Sequence, residues 1–598
     1  MTRPRTLAVV VGAVVAAVLA LGAAAATSPI DNSTEFRPRY VANHQLQIPG
    51  NQSAAHLSAD HVPRPAANGL AGSNSDLALS LAGLNFNDQR TADGGNQFSL
   101  EPPDQALCVG NGFAFEAVNN VFRIRSSVTG ASIDPASGGA AMNPFFTQDH
   151  QIVRSVPPVF GQDLFDPKCY YDPGLNRFFF IIDQIGQNAN GTFNGEAFLD
   201  IAVSKTGTPT TNRNDWFFYQ LNVANDGTDG TPSHPTCPCF GDQPLVGADT
   251  YGLYITTNEY DLEPFGGTFN GAQIYAFDKA ALAAGTMKVQ RIEGAPLASS
   301  YTTATDFPYS LQPASSPSTG NWVTSNNGTE YMLGALEFSK GNVTLDNRIA
   351  VWALTNTASL ATASPNVAVD DFVVTTQPYG FPPDAVQKDG PTPLADNALL
   401  AAGVVKPGNG PAEHESLIAG NDDRMEDAVW VGGKLWGSLN TIVKTQNGSS
   451  QVGTAYFAFT PSVTGGQVSA TVAKQGYVTV NNASVLFPAI AMNDAGKGVI
   501  VFSVSGKDYF PSAGYARLTL AGGAGPVHVA AAGVKPADGF TGYTVFGGSG
   551  TERWGDYSDA VVNPVDQSLW LATEWIEGNV GFPPRLGNWN TRILKIAP

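Results

Sequence analysis

Carboxylates recur along this sequence at a fixed distance. Asp166 and Asp183, Asp242 and Glu259, Asp423 and Asn440, and Asp556 and Glu574 each bracket two apolar strands and a short turn, spanning about seventeen residues, with a looser copy from Asp104 to Asn119. In an antiparallel hairpin the start of the first strand lies beside the end of the second, so every copy delivers its polar pair to the same end. Arranged around a ring, these pairs would converge on one mouth. Glycoside hydrolysis needs two carboxyl groups, one protonated to assist the leaving group and one ionised as nucleophile or base. Asp242, Glu259, Asp556 and Glu574 are the first candidates, with Asp166 and Asp183 next. Trp554 and Trp575 flank the last pair and offer flat apolar faces to sugar rings. Arg553 and Arg424 suit bidentate recognition of a substrate carboxylate.

Two other expectations compete with catalysis. An Asp at a strand start caps a turn by accepting backbone N–H bonds, and Trp in a strand fills core. A cation is the third use. Ca²⁺ takes hard oxygen ligands, which Asp104, Asp166, Asp242, Asp423 and Asp556 would supply, although no EF-hand loop is present.

Other chemistries find no support. The sequence contains no Walker loop, no His-Glu-x-x-His helix and no Gly-x-Ser-x-Gly elbow, and His414-Glu415 lacks its second His. His150, His234 and His414 are scattered on predicted loops, and His44, His56 and His61 fall in a polar N-terminal stretch. The formal net charge of −19 argues against nucleic acid or an anionic membrane, both of which need a basic footprint. Four cysteines, Cys108, Cys169, Cys237 and Cys239, allow three pairings. Disulfides are favoured over zinc, because no second Cys or His pair stands at a metal-site interval.

These residues require elements to position them. Arg3 and Arg5, the apolar run Leu7 to Leu21 and the small residues Ala24 and Ala26 read as a signal peptide cleaved near Ala26, with a membrane anchor as the alternative. Residues 1–26 are therefore assigned to the leader, 27–75 to a polar linker or arm, and 76–598 to a single domain. The mature protein is expected to be secreted and monomeric, without a membrane span. Charged residues make up only 14% of the chain, and Gly (64) and Pro (41) are abundant. That composition suits many turns and few amphipathic helices. One helical turn is expected at Asp278 to Ala284; otherwise short strands rich in Val, Ile, Phe, Tyr and Trp alternate with turns.

Successive copies start about 60 to 75 residues apart, which fits four-stranded propeller blades joined by sizeable loops. Counting Asp104, Asp166, Asp242, Asp306, Asp423, Phe487 and Asp556 as starts predicts an all-β propeller of seven blades, with six or eight as alternatives. The last copy has room for only three strands: Ala560 to Val562, Ser568 to Trp575 and Arg592 to Ile596. The alternating Leu77, Leu79 and Leu81 are predicted to supply its fourth strand and so close the ring.

The phrases Asp166-Pro-Lys-Cys-Tyr-Tyr-Asp172, Asn176-Arg-Phe-Phe-Phe180, Ile201-Ala-Val-Ser-Lys-Thr206, Tyr254-Ile-Thr-Thr-Asn-Glu259 and Arg553-Trp-Gly-Asp-Tyr-Ser558 resemble a family of secreted bacterial proteins, frequent in actinobacteria, predicted as sialidase-like propellers. The resemblance covers nearly the whole mature chain; it implies the fold and export and assigns no catalytic residue. The Asp-box turns of sialidases are echoed only weakly, at Asn493-Asp-Ala-Gly496. Two functions of different classes follow: a secreted glycoside hydrolase acting on a polysaccharide or cell-surface glycan, or a non-catalytic propeller that binds glycans or proteins.

Overall fold

The computed structural model describes residues 57–598 apart from 99, 263–264, 293–307, 337–344, 391–414, 544–547 and 579–587. The proposed leader, Asp306 and His414 lie outside the described residues. Seven four-stranded antiparallel blades form a propeller. Their innermost strands are Gln105–Gly110, Asp163–Asp172, Cys239–Ala248, Gln312–Pro313, Met425–Val431, Ala483–Met492 and Asp559–Val562. The seventh blade holds Asp559–Val562, Leu569–Trp575 and Asn590–Ile596, and its fourth strand is Leu77–Asn85, paired antiparallel to the C-terminal strand with Leu79 opposite Lys595 and Leu81 opposite Ile593. An extended alternating segment thus removes the edge that three strands would leave.

The chain leading to this closing strand runs along the outside of the ring. Leu57 N donates to Leu345 O (2.8 Å), Lys444 N to Pro63 O (2.8 Å), Asn68 N to Thr479 O (3.0 Å) and Ala71 N to Val527 O (2.8 Å). Residues 57–75 therefore touch blades 4, 5 and 6 in turn before Asp76 binds Tyr515 Oη and Arg517 Nε, each at 2.6 Å. The predicted helical turn is Lys279–Ala283, capped by Asp278, whose Oδ1 accepts from Ala281 N at 3.0 Å. Two further short helices, Phe86–Thr91 and Met142–Phe146, were not anticipated from the sequence. They sit beside blade 1 and are too short to show periodicity.

Apolar side chains of neighbouring blades interleave between the sheets. Between blades 1 and 2, Phe115, Phe122, Phe145, Phe180 and Trp216 form one buried cluster, with Phe115 edge-on to Phe180 at 4.8 Å. Cys108–Cys169 joins the innermost strands of these two blades across 61 residues, a loop whose closure contributes about 4 kcal/mol in the chain-entropy account. Cys237–Cys239 spans a separation of two, and on the same account it adds only about 1.5 kcal/mol.

Candidate active site at the ring mouth

The innermost strands enter the ring through a repeated backbone device. Asp166 (φ 48°), Gln243 (φ 54°) and Phe487 (φ 53°) adopt left-handed backbone, and each precedes a proline, Pro167, Pro244 and Pro488. Each also sits where the register with the second strand shifts. Proline cannot donate to a ladder and is accommodated at bulges, so the X-Pro pair bends the strand at the mouth.

Polar side chains from second strands hold the bend at Phe487 and two other points of positive-φ backbone, Ser310 and Gly555, that lead into innermost strands. Asn258 Oδ1 accepts from Ser310 N (2.9 Å), Asn440 Oδ1 from Phe487 N (2.8 Å) and Glu574 Oε2 from Gly555 N (2.8 Å). All three acceptor residues are buried, and all three donors have positive φ. In two of the five copies, at Asn440 and Glu574, the second member of the sequence repeat is thus a clasp for positive-φ backbone. In blade 3 the clasp is Asn258; Glu259 stands one residue on and points to the opposite face.

The acids on the first strands do converge. Arg424 binds Asp422 bidentately, Nε to Oδ1 and Nη2 to Oδ2 at 2.7 Å each, and its Nη1 reaches Gln243 Oε1 of blade 3. Arg553 donates to both oxygens of Asp556, at 2.6 Å to Oδ1. Electrostatically Arg553 also feels Asp104 and Asp166, while Asp556 feels Arg424 and Asp166. Burial raises the Asp556 carboxyl above its ordinary value, against the pull of Arg553 and Arg424. Beneath them burial lowers the Lys168 ammonium, which stands among Asp559, Glu426, Asp166 and Asp104 and 3.3 Å from the centre of the Tyr557 ring. Asp427 is pushed by burial up to about 8 and accepts from Ile490 N; Asp559 is pushed to about 6 and accepts from Leu107 N at 2.8 Å.

Solvent reaches only part of this array. Asp104, Asp166, Asp183, Asp422, Asp423 and Glu426 are buried. The Asp556 and Arg553 side chains keep 22% and 27% of their exposure, and Asp242 is part-exposed beside Tyr260 and Tyr309, whose hydroxyls are buried near it and near Arg424. A cavity of about 50 Å³ lies among innermost-strand residues Cys108, Cys169, Tyr171, Val429, Met492 and Val561, beside Ser315. A cavity of about 510 Å³ lies apart, on blade 2, lined by Gln184, Glu196, Asp200, Phe218, Tyr219 and Gln220.

A second acidic group adjoins the mouth and is held by amide and hydroxyl donors. Glu101 accepts from Phe540 N (2.9 Å), Thr541 N (3.0 Å), Thr541 Oγ1 (2.7 Å) and Asn588 Nδ2 (2.6 Å), while Glu552 accepts from Gly539 N (2.7 Å). Burial, then repulsion from Glu552, Glu101 and Asp104, raises Glu574 well above the carboxylate range.

Several sequence expectations change here. Trp554 is 2% exposed within a cluster of Ile418, Leu486 and Phe487, and Trp575 is 6% exposed under the Arg592 guanidinium, so neither offers a face to a sugar. Arg424 and Arg553 hold the protein's own carboxylates. Glu259 is separated from the mouth array, its Oε1 bound to His234 Nδ1 at 2.7 Å and its Oε2 to Asn225. His150 pairs with Asp93, so it does not join His234. Among the described residues, Cys237, Cys239 and Glu259 form the one group of three metal-type donors drawn together within 4.8 Å. The five aspartates named for Ca²⁺ form no such group, and Arg424, Arg553 and Lys168 stand among them. Gln243, Asn258, Tyr260, Tyr309 and Lys168 are the mouth residues that sequence reasoning missed. The signal available for the first was the Gln-Pro pair, in phase with Asp166-Pro167.

No family model matches the chain, and no curated protein matches it. Among solved structures, a Dyadobacter fermentans protein of unknown function aligns at 11% identity over 72% of this chain and 94% of its own, with a TM-score of 0.33. An α-L-arabinofuranosidase from Fusarium graminearum aligns at 8% over 75% and 99% with a TM-score of 0.32. A Trypanosoma rangeli sialidase bound to sialic acid aligns at 9%, TM-score 0.32, over 73% of this chain but 55% of that one, so the chain spans about half the sialidase's length. The assignment of seven blades rests on the strand pairing of this chain itself.

Proposed function

We propose that this is an exported glycan-active protein, and that its site is the mouth between Asp242 and the Arg553–Asp556 pair. One observation carries this: Asp242, Arg553 and Asp556 keep part of their exposure, as do Lys168, Asp427 and Asp559 close by, while the neighbouring Asp104, Asp166, Asp422, Asp423 and Glu426 are buried. Asp556, its carboxyl raised by burial against the opposing pull of Arg553 and Arg424, is the carboxyl we assign to the proton-transfer role. Asp242, from another blade, is the second carboxyl, with Tyr260 and Tyr309 at its back. Glu574 supports Gly555 and, through it, the position of Asp556. The two disulfides and the leader-like N-terminus favour an extracellular setting.

A binding-only propeller is the second reading, favoured by the way Arg424 and Arg553 are already satisfied within the chain. The deciding experiment incubates residues 27–598 with bacterial and plant polysaccharides beside Asp242→Asn and Asp556→Asn variants of confirmed fold. Sugar release by the parent that each substitution lowers at least a hundredfold supports hydrolysis at the mouth. Retention of a glycan without release, weakened by the same substitutions, supports binding alone. Release unaffected by either substitution removes the mouth as the site.

A further inference from the structure

The Cys237-Pro238-Cys239 bridge has no evident structural task. Its short loop restrains the unfolded chain far less than that of Cys108–Cys169, and backbone bonds already fix both flanks: Cys239 N to Ala224 O (2.8 Å), Leu262 N to Pro238 O (2.9 Å) and His234 N to Asn225 O (2.8 Å). What surrounds it is a set of donors. Glu259, 1% exposed, places Oε1 3.8 Å from Cys237 Sγ, close to the edge of about 3.6 Å between a sulfur and an oxygen on one tetrahedral zinc. Asn270 Nδ2 lies 3.7 Å from Cys237 Sγ and 3.5 Å from Cys239 Sγ, a buried donor shared by both sulfurs and anchored on Pro235 O at 2.9 Å. His234 Nδ1 holds the carboxylate at 2.7 Å, the outer-shell contact that orients a metal-binding carboxylate.

We propose that blade 3 carries a thiol-gated site for a divalent metal of zinc type, formed when a dithiol reductant opens Cys237–Cys239 and leaves two sulfurs and the Glu259 carboxylate as ligands. A reductant thiolate attacks the part-exposed Cys237 Sγ; the S–S bond breaks and its electron pair leaves on Cys239 Sγ, which takes a proton. The second thiolate of the reductant then displaces Cys237, giving a cyclic disulfide and two cysteine thiols. Metal binding releases the two thiol protons to solvent and forms two sulfur bonds and one oxygen bond. Two thiolates beside a buried carboxylate are tolerated only when a cation balances them, so loss of the thiol protons and metal binding occur together. Two soft ligands select zinc over calcium. The site is independent of the glycan reading, since Glu259 stands apart from Asp242 and Asp556.

The test reduces the mature chain anaerobically with dithiothreitol, maps new thiols by alkylation and mass spectrometry, removes the reductant and titrates Co²⁺ as a spectroscopic substitute for zinc. Thiols are expected at 237 and 239 before 108 and 169, followed by one Co²⁺ per chain with sulfur-to-cobalt charge-transfer absorption. Glu259→Gln should weaken binding at least tenfold, and His234→Ala should weaken it with the absorption band retained. A folded Cys237→Ser/Cys239→Ser variant should lack the band. The proposal fails if no thiol appears at 237 and 239 while the fold persists, or if the reduced parent binds Co²⁺ no more tightly than the double serine variant.

Discussion

Two acidic clusters sit at the same end of the ring and solve the same electrostatic problem differently. Around the axis, Asp556 and Asp422 are matched by Arg553 and Arg424 from the chain itself. Beside it, Glu101, Glu552 and Glu574 have backbone N–H groups for partners, and burial with mutual repulsion pushes the Glu574 carboxyl well up, toward its neutral form. Guanidiniums let a carboxylate stay charged and meet water; amides let a carboxyl stay in the dry interior as a neutral brace. Residue type alone therefore does not separate a chemical group from a structural one. The partner does.

Removing the cation is the strongest way to break this contrast. Arg553→Met should cost about 3 kcal/mol in denaturant unfolding, the lower end for a buried pair because both side chains retain some exposure. Most of that loss should vanish in an Asp556→Asn background. A loss below about 0.5 kcal/mol would mean that charge matching does not hold the axial cluster together.

The next effect is on pH dependence. Asp427, raised from 3.8 to about 8 by burial, binds a proton more tightly folded than unfolded. Its contribution to stability is complete below its unfolded value of 3.8 and is lost as pH rises through about 8. Asp427→Asn should flatten the fall in melting temperature between these limits relative to the parent, measured by calorimetry across that range. An unchanged slope would show that Asp427 titrates normally.

The smallest effect is expected at Glu574→Gln. Because burial and repulsion favour the neutral Glu574 carboxyl, and the amide oxygen still accepts from Gly555, the change should stay within about 1 kcal/mol. A loss matching that of Arg553→Met would place a charge on Glu574 and erase the distinction between the clusters.

Seven repeats and the closing strand were legible because alternation and turn residues are local, and the alternating Leu77, Leu79 and Leu81 could serve only as a half-buried strand. The site was less legible. Choosing Glu259 over Asn258 is a slip of one residue, and in a strand such a slip reverses the face. Trp554 and Trp575 fill core, where large side chains supply volume in a chain with so few amphipathic helices. The partners of the arginines were hidden for another reason: Arg424 reaches Gln243 across 181 residues, a contact made by ring closure that no local pattern encodes. The X-Pro pairs at 166, 243 and 487 were readable and were overlooked, since proline inside an inner strand implies a bulge.

The C-terminal strand Asn590–Ile596 lies between Leu569–Trp575 and Leu77–Asn85. The strand Leu77–Asn85 therefore waits for a segment more than 500 residues further on, and its pairing cannot begin until Asn590–Ile596 has been made. A chain truncated before Asn590 would leave both neighbours with open edges, so blade 7 acts as a lock that only the arrival of Asn590–Ile596 can close.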